Sequence, residues 1–161
     1  MPALRSQLLE CGYPIQDGCA FFTSTLLCRS ATYKLTEPIE VNVISAAMPN
    51  LADPQVSAIY GGDCSSALWR QTVTLSIRAV LAVAVEEEVD VLILGAFGCG
   101  AFRNDARTVA SIFKRLLMSF EFAGAFSEVI FAIVERDDAR DGGNIAIFRE
   151  VLSGGLRVVG T

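Results

Sequence analysis

Residues Val89–Asp105 read VDVLILGAFGCGAFRND, and the rest of the chain is best read outward from them. Val89–Gly95 is a nearly continuous apolar run, the pattern of a strand covered on both faces. Glycines follow at 95, 98 and 100, where the backbone must turn tightly and can approach a ligand closely. A helix then begins, with Val109, Ile112, Phe113, Leu116, Leu117 and Phe120 on one face. Asn104 or Asp105 can cap its start, and Arg107 and Lys114 are expected to face out. In open α/β sheets, ligands sit at the carboxyl ends of strands, where this loop falls. Amides of the loop and of the helix start, pointing outward together, would bind phosphate without a cationic side chain. The pattern is neither G-x-G-x-x-G nor a P-loop, since the lysine is missing. The plainer reading is a strand-to-helix turn.

The flanking segments alternate between strand and helix. Glu40–Ala46, bounded by Pro38 and Pro49, reads as a strand. Ser65–Glu87 reads as a long helix with Val73, Ile77, Val80, Leu81 and Ala84 as its apolar stripe, its acidic end Glu86-Glu87-Glu88 lying in solvent. Glu128–Val134 is a second buried strand, Asn144–Leu152 a short helix ended by Gly154-Gly155, and Leu156–Val159 an edge strand or tail. Cys19–Thr25 reads as a strand and Leu26–Tyr33 as a helical turn or short helix. Phe148 is expected in the core. This order predicts a layered α/β domain spanning residues 1–161, with a mixed, mostly parallel sheet.

Composition narrows the chemistry. The 161 residues include 13 basic and 18 acidic side chains, a net charge of −5, so a general nucleic-acid-binding surface is not expected. There is no histidine, which excludes Ser-His-Asp and Cys-His nucleophile systems and removes the commonest metal ligand. Cys11, Cys19, Cys28, Cys64 and Cys99 form no C-x-x-C pair, so no metal site and no cofactor are called for. Met1–Glu10 lacks the apolar core of a secretory signal, and reduced thiols in a cytoplasmic, intracellular compartment are expected. The longest apolar runs, Ala79–Val85 and Val91–Phe97, are far shorter than the ~20 residues that span a bilayer, so no membrane partner is expected.

The segment LILGAFGCGAFRNDARTVASIFKRLL, followed by VIFAIV, resembles the microbial-type poly(ADP-ribose) glycohydrolase family, whose members have a macrodomain fold. The matching residues are Gly95, Ala96, Phe97, Gly98, Cys99, Gly100, Phe102, Asn104, Asp105, Val109, Ala110 and Phe113. Upstream, Val41–Asn50 is similar to the family strand ending in Ala-x-Pro-Asn, and Leu26–Tyr33 to its Leu-Cys-Arg-Arg-Ser-x-Leu-Tyr. The likeness covers roughly residues 26–134, and about 25 residues precede it, fewer than the family's usual N-terminal elements. It implies a three-layer α/β/α fold and ADP-ribose, or an ADP-ribosylated ligand, as the partner. It also implies that Gly95, Gly98, Cys99, Gly100 and Ala101 line the diphosphate. Phe102, Asn104 and Asn50 would border the ribose or base. For Phe102 the other reading is a core aromatic. For Cys99, with no base beside it, a small packed residue is favoured over a nucleophile.

The departures carry equal weight. The family's catalytic Gln-Glu-Glu falls, by position, on Phe22, Thr23 and Ser24, and its triple-glycine ribose loop is absent. Splitting a glycosidic bond needs a carboxylate to protonate the leaving group and activate water, and Thr23 and Ser24 cannot do this. Glu10, Asp17, Glu37, Asp53 and Asp63 are the other acids that folding could bring in, with the Gly61-Gly62 loop between the last two. The turn Glu135–Asp141 could border an adenine or be a polar connection. Three functions compete: an ADP-ribose binding module without efficient hydrolysis, a hydrolase of ADP-ribosyl linkages with a relocated carboxylate, and a structural or homo-oligomeric protein on a worn macrodomain.

Overall fold

Paired β-favouring residues form the first two described elements. The structure, a computed structural model, describes residues 15–16, 18–29, 35–134, 143–154 and 156–160. Strands β1 (Ala20–Arg29) and β2 (Leu35–Ala46) form an antiparallel pair running from Ala20↔Ala46 to Leu27↔Ile39, with an irregularity before Arg29↔Leu35. The expected helical turn at Leu26–Tyr33 is therefore a strand as far as Arg29, because pairing with Glu40 and Ile39 takes up the backbone of Leu26 and Leu27. Ser30–Tyr33 lies outside the described residues. β2 also begins before Pro38, which sequence alone marks as a boundary. A proline is tolerated there because β2 has a described partner on one side only.

Two helices follow. Asp53 caps α1 (Pro54–Ile59), and Ser66 caps α2 (Ala67–Glu86) by accepting from the Trp69 amide. The stripe Val73, Ile77, Val80, Leu81 and Ala84 is buried as expected, joined by Trp69, and Glu86–Glu88 lie exposed. By length and composition α2 could cross a membrane, but its apolar stripe is buried in the core.

Strands β3 (Val91–Leu94), β4 (Glu128–Ile133) and β5 (Arg157–Gly160) form a parallel sheet in the order β3-β4-β5. The mixed α/β class expected from the sequence is the one observed. β3 is not covered on both faces, however. Leu92 is buried while Val91 and Ile93 are exposed, Ile93 by 66%. A short apolar run cannot distinguish a central strand from an edge strand, and β3 is an edge of the described sheet.

Helix α3 (Ala106–Leu117) packs on α4 (Gly143–Leu152), which in turn packs on β5. Two expectations for α3 need correction. The helix ends before Phe120, whose side chain is fully exposed. Lys114 does not face out but donates to the Val151 carbonyl at 2.8 Å, near the end of α4. A lysine there meets the partial negative charge of a helix C-terminus. Arg107 does face out and forms a two-pronged pair with Glu150 on α4 at 2.7 and 2.8 Å.

Phe131 of β4 sits at the centre of the core, edge-on to Phe113 of α3 at 5.2 Å and tilted against Phe148 of α4 at 5.6 Å. Phe148 is thus a core residue, as read. All three rings are fully buried. Replacing Phe131 by Ala removes the ring that joins sheet to helices. The expected loss of unfolding free energy is about 3–5 kcal/mol, measurable by urea denaturation.

Candidate functional site

The glycine loop leaves the carboxyl end of β3 and lies against Met48–Asn50, just past the carboxyl end of β2. Gly98 has φ +72°, and a Cβ there would meet Asn104 Nδ2 at 2.7 Å and Met48 Cβ at 2.9 Å. Glycine is required by both the dihedral and the close approach. Gly100 differs: an added Cβ would meet nothing within 4 Å.

The loop is held by its carbonyls. Gly98 O accepts from the Asn104 amide nitrogen at 3.1 Å and from Asn104 Nδ2 at 2.9 Å. Gly100 O accepts from the Arg103 amide at 3.0 Å, and Phe102 O from the Leu51 amide at 2.9 Å. Cys99 O accepts from Asn144 Nδ2, at the start of α4, at 3.4 Å. With these carbonyls engaged by the protein, the amides of Gly98, Gly100, Ala101 and Phe102 have no acceptor among the described residues. Consecutive unpaired amides form a concavity suited to an anion. The start of α3 does not add to it in the way the sequence suggests. Asp105 caps the helix, accepting from the Thr108 amide at 2.8 Å and the Thr108 hydroxyl at 2.6 Å. A carboxylate therefore already sits at that end of the helix, where it would disfavour an anion.

Asn104, expected to border the ribose or base, is buried, and its side chain is engaged within the protein. Its Oδ1 accepts from Trp69 Nε1 at 2.7 Å, and its Nδ2 donates to Pro49 O and Gly98 O, each at 2.9 Å. The sequence signal for this clamp is a single asparagine beside an invited cap position, and Asp105 takes the cap. Asn50 turns the chain from β2 into α1, its Oδ1 accepting from the Ala52 amide at 3.2 Å. Phe102 is 40% exposed beside the loop, so it is not a core aromatic.

Cys99 is mostly enclosed, its thiol against the Phe97 carbonyl at 3.5 Å. Burial first, then the negative charge of Asp105, push its pKa up to about 12. Such a thiol is not a nucleophile at neutral pH. Burial also raises the Cys64 thiol.

The candidate acids are tied into turns. Asp53 Oδ1 accepts from the Gln55 amide at 2.8 Å at the start of α1. Asp63 Oδ1 accepts from both the Ser65 hydroxyl and the Ser65 amide at 2.6 Å, and these bonds hold its carboxyl below the usual range. A carboxyl so stabilised as the anion is a poor proton donor. Thr23 and Ser24 lie within β1, opposite Val43 and Asn42, well down the strand from the Ala46 end where the loop sits. Glu37 lies in β2. Glu10, Asp17 and Glu135–Asp141 are outside the described residues.

Two consequences can be measured. Asn104→Ala leaves the Trp69 indole N–H and the Pro49 carbonyl without their buried partner. The expected loss is about 3 kcal/mol or more in denaturant unfolding, with a red shift of Trp69 emission. For Cys99 the protonated thiol is favoured in the folded chain. Its stabilisation is complete below the ordinary cysteine value of 9.0 and lost as pH rises toward about 12. Thermal unfolding should therefore show an alkaline decline that Cys99→Ala reduces. At pH 8 a thiol reagent should label exposed Cys19 well before Cys99.

No protein-family model matches the chain, and no curated protein matches it. Solved structures do. Poly(ADP-ribose) glycohydrolase from Deinococcus radiodurans, solved in complex with ADP-ribose, is 32% identical over 83% of this chain and 52% of that one, with a TM-score of 0.70. The enzyme from Thermomonospora curvata, bound to the inhibitor ADP-HPD, is 26% identical over 92% of this chain and 54% of that one, with a TM-score of 0.71. The chain spans about half the length of these relatives. The chain is thus similar to the microbial poly(ADP-ribose) glycohydrolases over half of their length, and its fold is the macrodomain-like one of that family.

Proposed function

We propose that the chain is a binding module for ADP-ribose or a related nucleoside diphosphate, without efficient hydrolysis. The observation that carries this reading is the row of unengaged amides at Gly98, Gly100, Ala101 and Phe102. Dipoles held by the fold can balance a diphosphate in a protein of net charge −5, because the donors are local and already oriented. Phe102 stands exposed next to them, placed to cover a ribose. The comparison supports the same ligand class, since the Deinococcus enzyme was solved with ADP-ribose.

The reading without hydrolysis rests on the acids. By the family resemblance, with Ser30 and Tyr33 aligned, the catalytic glutamate positions fall on Thr23 and Ser24, and Asp53 and Asp63 are each held in a turn. A relocated carboxylate would have to give up such a turn to act as a general acid.

Calorimetry with ADP-ribose tests binding. Wild type should release heat and gain thermal stability. Gly100→Glu should lose both, because its Cβ has open space and its carboxylate would repel the phosphates. Gly98 is a poorer probe, since any side chain there also disturbs the Met48 and Asn104 contacts. Silence at millimolar ADP-ribose would remove the binding reading. Release of ADP-ribose from a modified substrate, abolished by Asp63→Asn, would establish the hydrolase instead.

A further inference from the structure

Three arginines converge on the outer surface between α2 and α3, in a region that the glycine loop does not use. Arg70, Arg107 and Arg115, with Thr108, Ser111 and Ile112, line a groove of about 230 Å³. Helical spacing brings them together. Arg107, Ser111 and Arg115 follow at four-residue steps along α3, and Arg70 and Thr74 at the same step along α2. Like charges drawn together without partners are unfavourable, and the three differ in how they are paired. Arg107 is neutralised by Glu150. Arg70 only approaches the Ser65 carbonyl at 3.5 Å, and Arg115 only the Thr74 hydroxyl at 3.3 Å. Among the described residues, neither Arg70 nor Arg115 has a carboxylate partner. In a chain with 18 acidic and 13 basic side chains, two unpaired guanidiniums on one groove stand out against the overall charge.

We propose that this groove is a second anion site, taking a phosphate or diphosphate group. Guanidinium forks match phosphate oxygens in pairs, and Arg70 and Arg115 keep free fork nitrogens for that purpose. The surrounding hydroxyls are already committed and hold the scaffold. Ser111 donates to the Arg107 carbonyl at 2.7 Å, and Thr74 to the Arg70 carbonyl at 2.7 Å. The groove also continues toward the loop. Arg70 and Thr108 are shared with an open recess of about 550 Å³ that reaches Arg103, the residue after Phe102, and that also carries the carboxylates of Asp63 and Asp105. The phosphate could therefore belong to a separate molecule or to the far end of a ligand seated in the loop.

Inorganic pyrophosphate is the probe, titrated into the full chain carrying Gly100→Glu so that the loop does not contribute. This chain should bind pyrophosphate. Adding Arg70→Ala and Arg115→Ala should weaken binding at least about tenfold. Arg78→Ala, which removes an exposed arginine paired with Glu121, should leave it unchanged. Arg115→Lys keeps the charge but not the fork and should show a partial loss with the fold intact. Equal binding with and without Arg70 and Arg115, or an equal loss from Arg78→Ala, overturns the proposal. Failure of Gly100→Glu to affect ADP-ribose overturns the loop reading alone, because the arginine variants are read with a different probe. Competition separates the two sources of phosphate. If ADP-ribose added to the unmodified loop displaces groove-bound pyrophosphate, the groove serves the same ligand, and if not, it serves a separate one.

Discussion

The side chain of Asn104 joins three stretches of chain that are distant in sequence: Trp69 on α2, Pro49 after β2, and Gly98 in the glycine loop. The bonds to Trp69 and Pro49 are buried and the one to Gly98 is partly so, which makes exchange for water costly. The clamp fixes the loop against the ends of both β2 and β3. It works only because Gly98 lacks a Cβ, which leaves room for the Asn104 amide and for Met48. Loop shape, amide direction and the depth of the core near Trp69 all follow from this one amide.

From the clamp outward, the loop's chemistry is a matter of which backbone groups are already in use. The carbonyls of Gly98, Cys99, Gly100 and Phe102 are bonded within the protein, and the amides beside them are left over. At the head of α3, Asp105 accepts from the Thr108 amide and places a carboxylate there. Among the described residues, Asp53 and Asp63 are each engaged in a turn, and Thr23 and Ser24 lie within β1.

Much of this could be read in the sequence, and the exceptions have definite causes. The apolar stripe of α2 and the α3 pattern as far as Leu117 stand out because helical periodicity persists over several turns. Phe120 fits the same periodicity but lies past the helix end, which no glycine or proline marks. Leu26–Arg29 carries no strong strand signal and is a strand because β2 pairs with it. The open face of β3 depends on which strands lie beside it, a property of the fold and not of the four residues Val91–Leu94. The glycine loop is legible as a loop, but the inward turn of Asn104 depends on Trp69, 35 residues away. The arginine groove is hidden for the same reason, since Arg70 comes from α2 and the other lining residues come from α3.

The most direct measurement of the central claim is a crystal structure of the chain soaked with ADP-ribose. The account predicts diphosphate density within hydrogen-bonding distance of the Gly98, Gly100, Ala101 and Phe102 amides, a ribose against Phe102, and an intact ligand with Asn104 still bonded to Trp69. An empty loop at saturating ligand, or density bound elsewhere while the loop stays unoccupied, would contradict it.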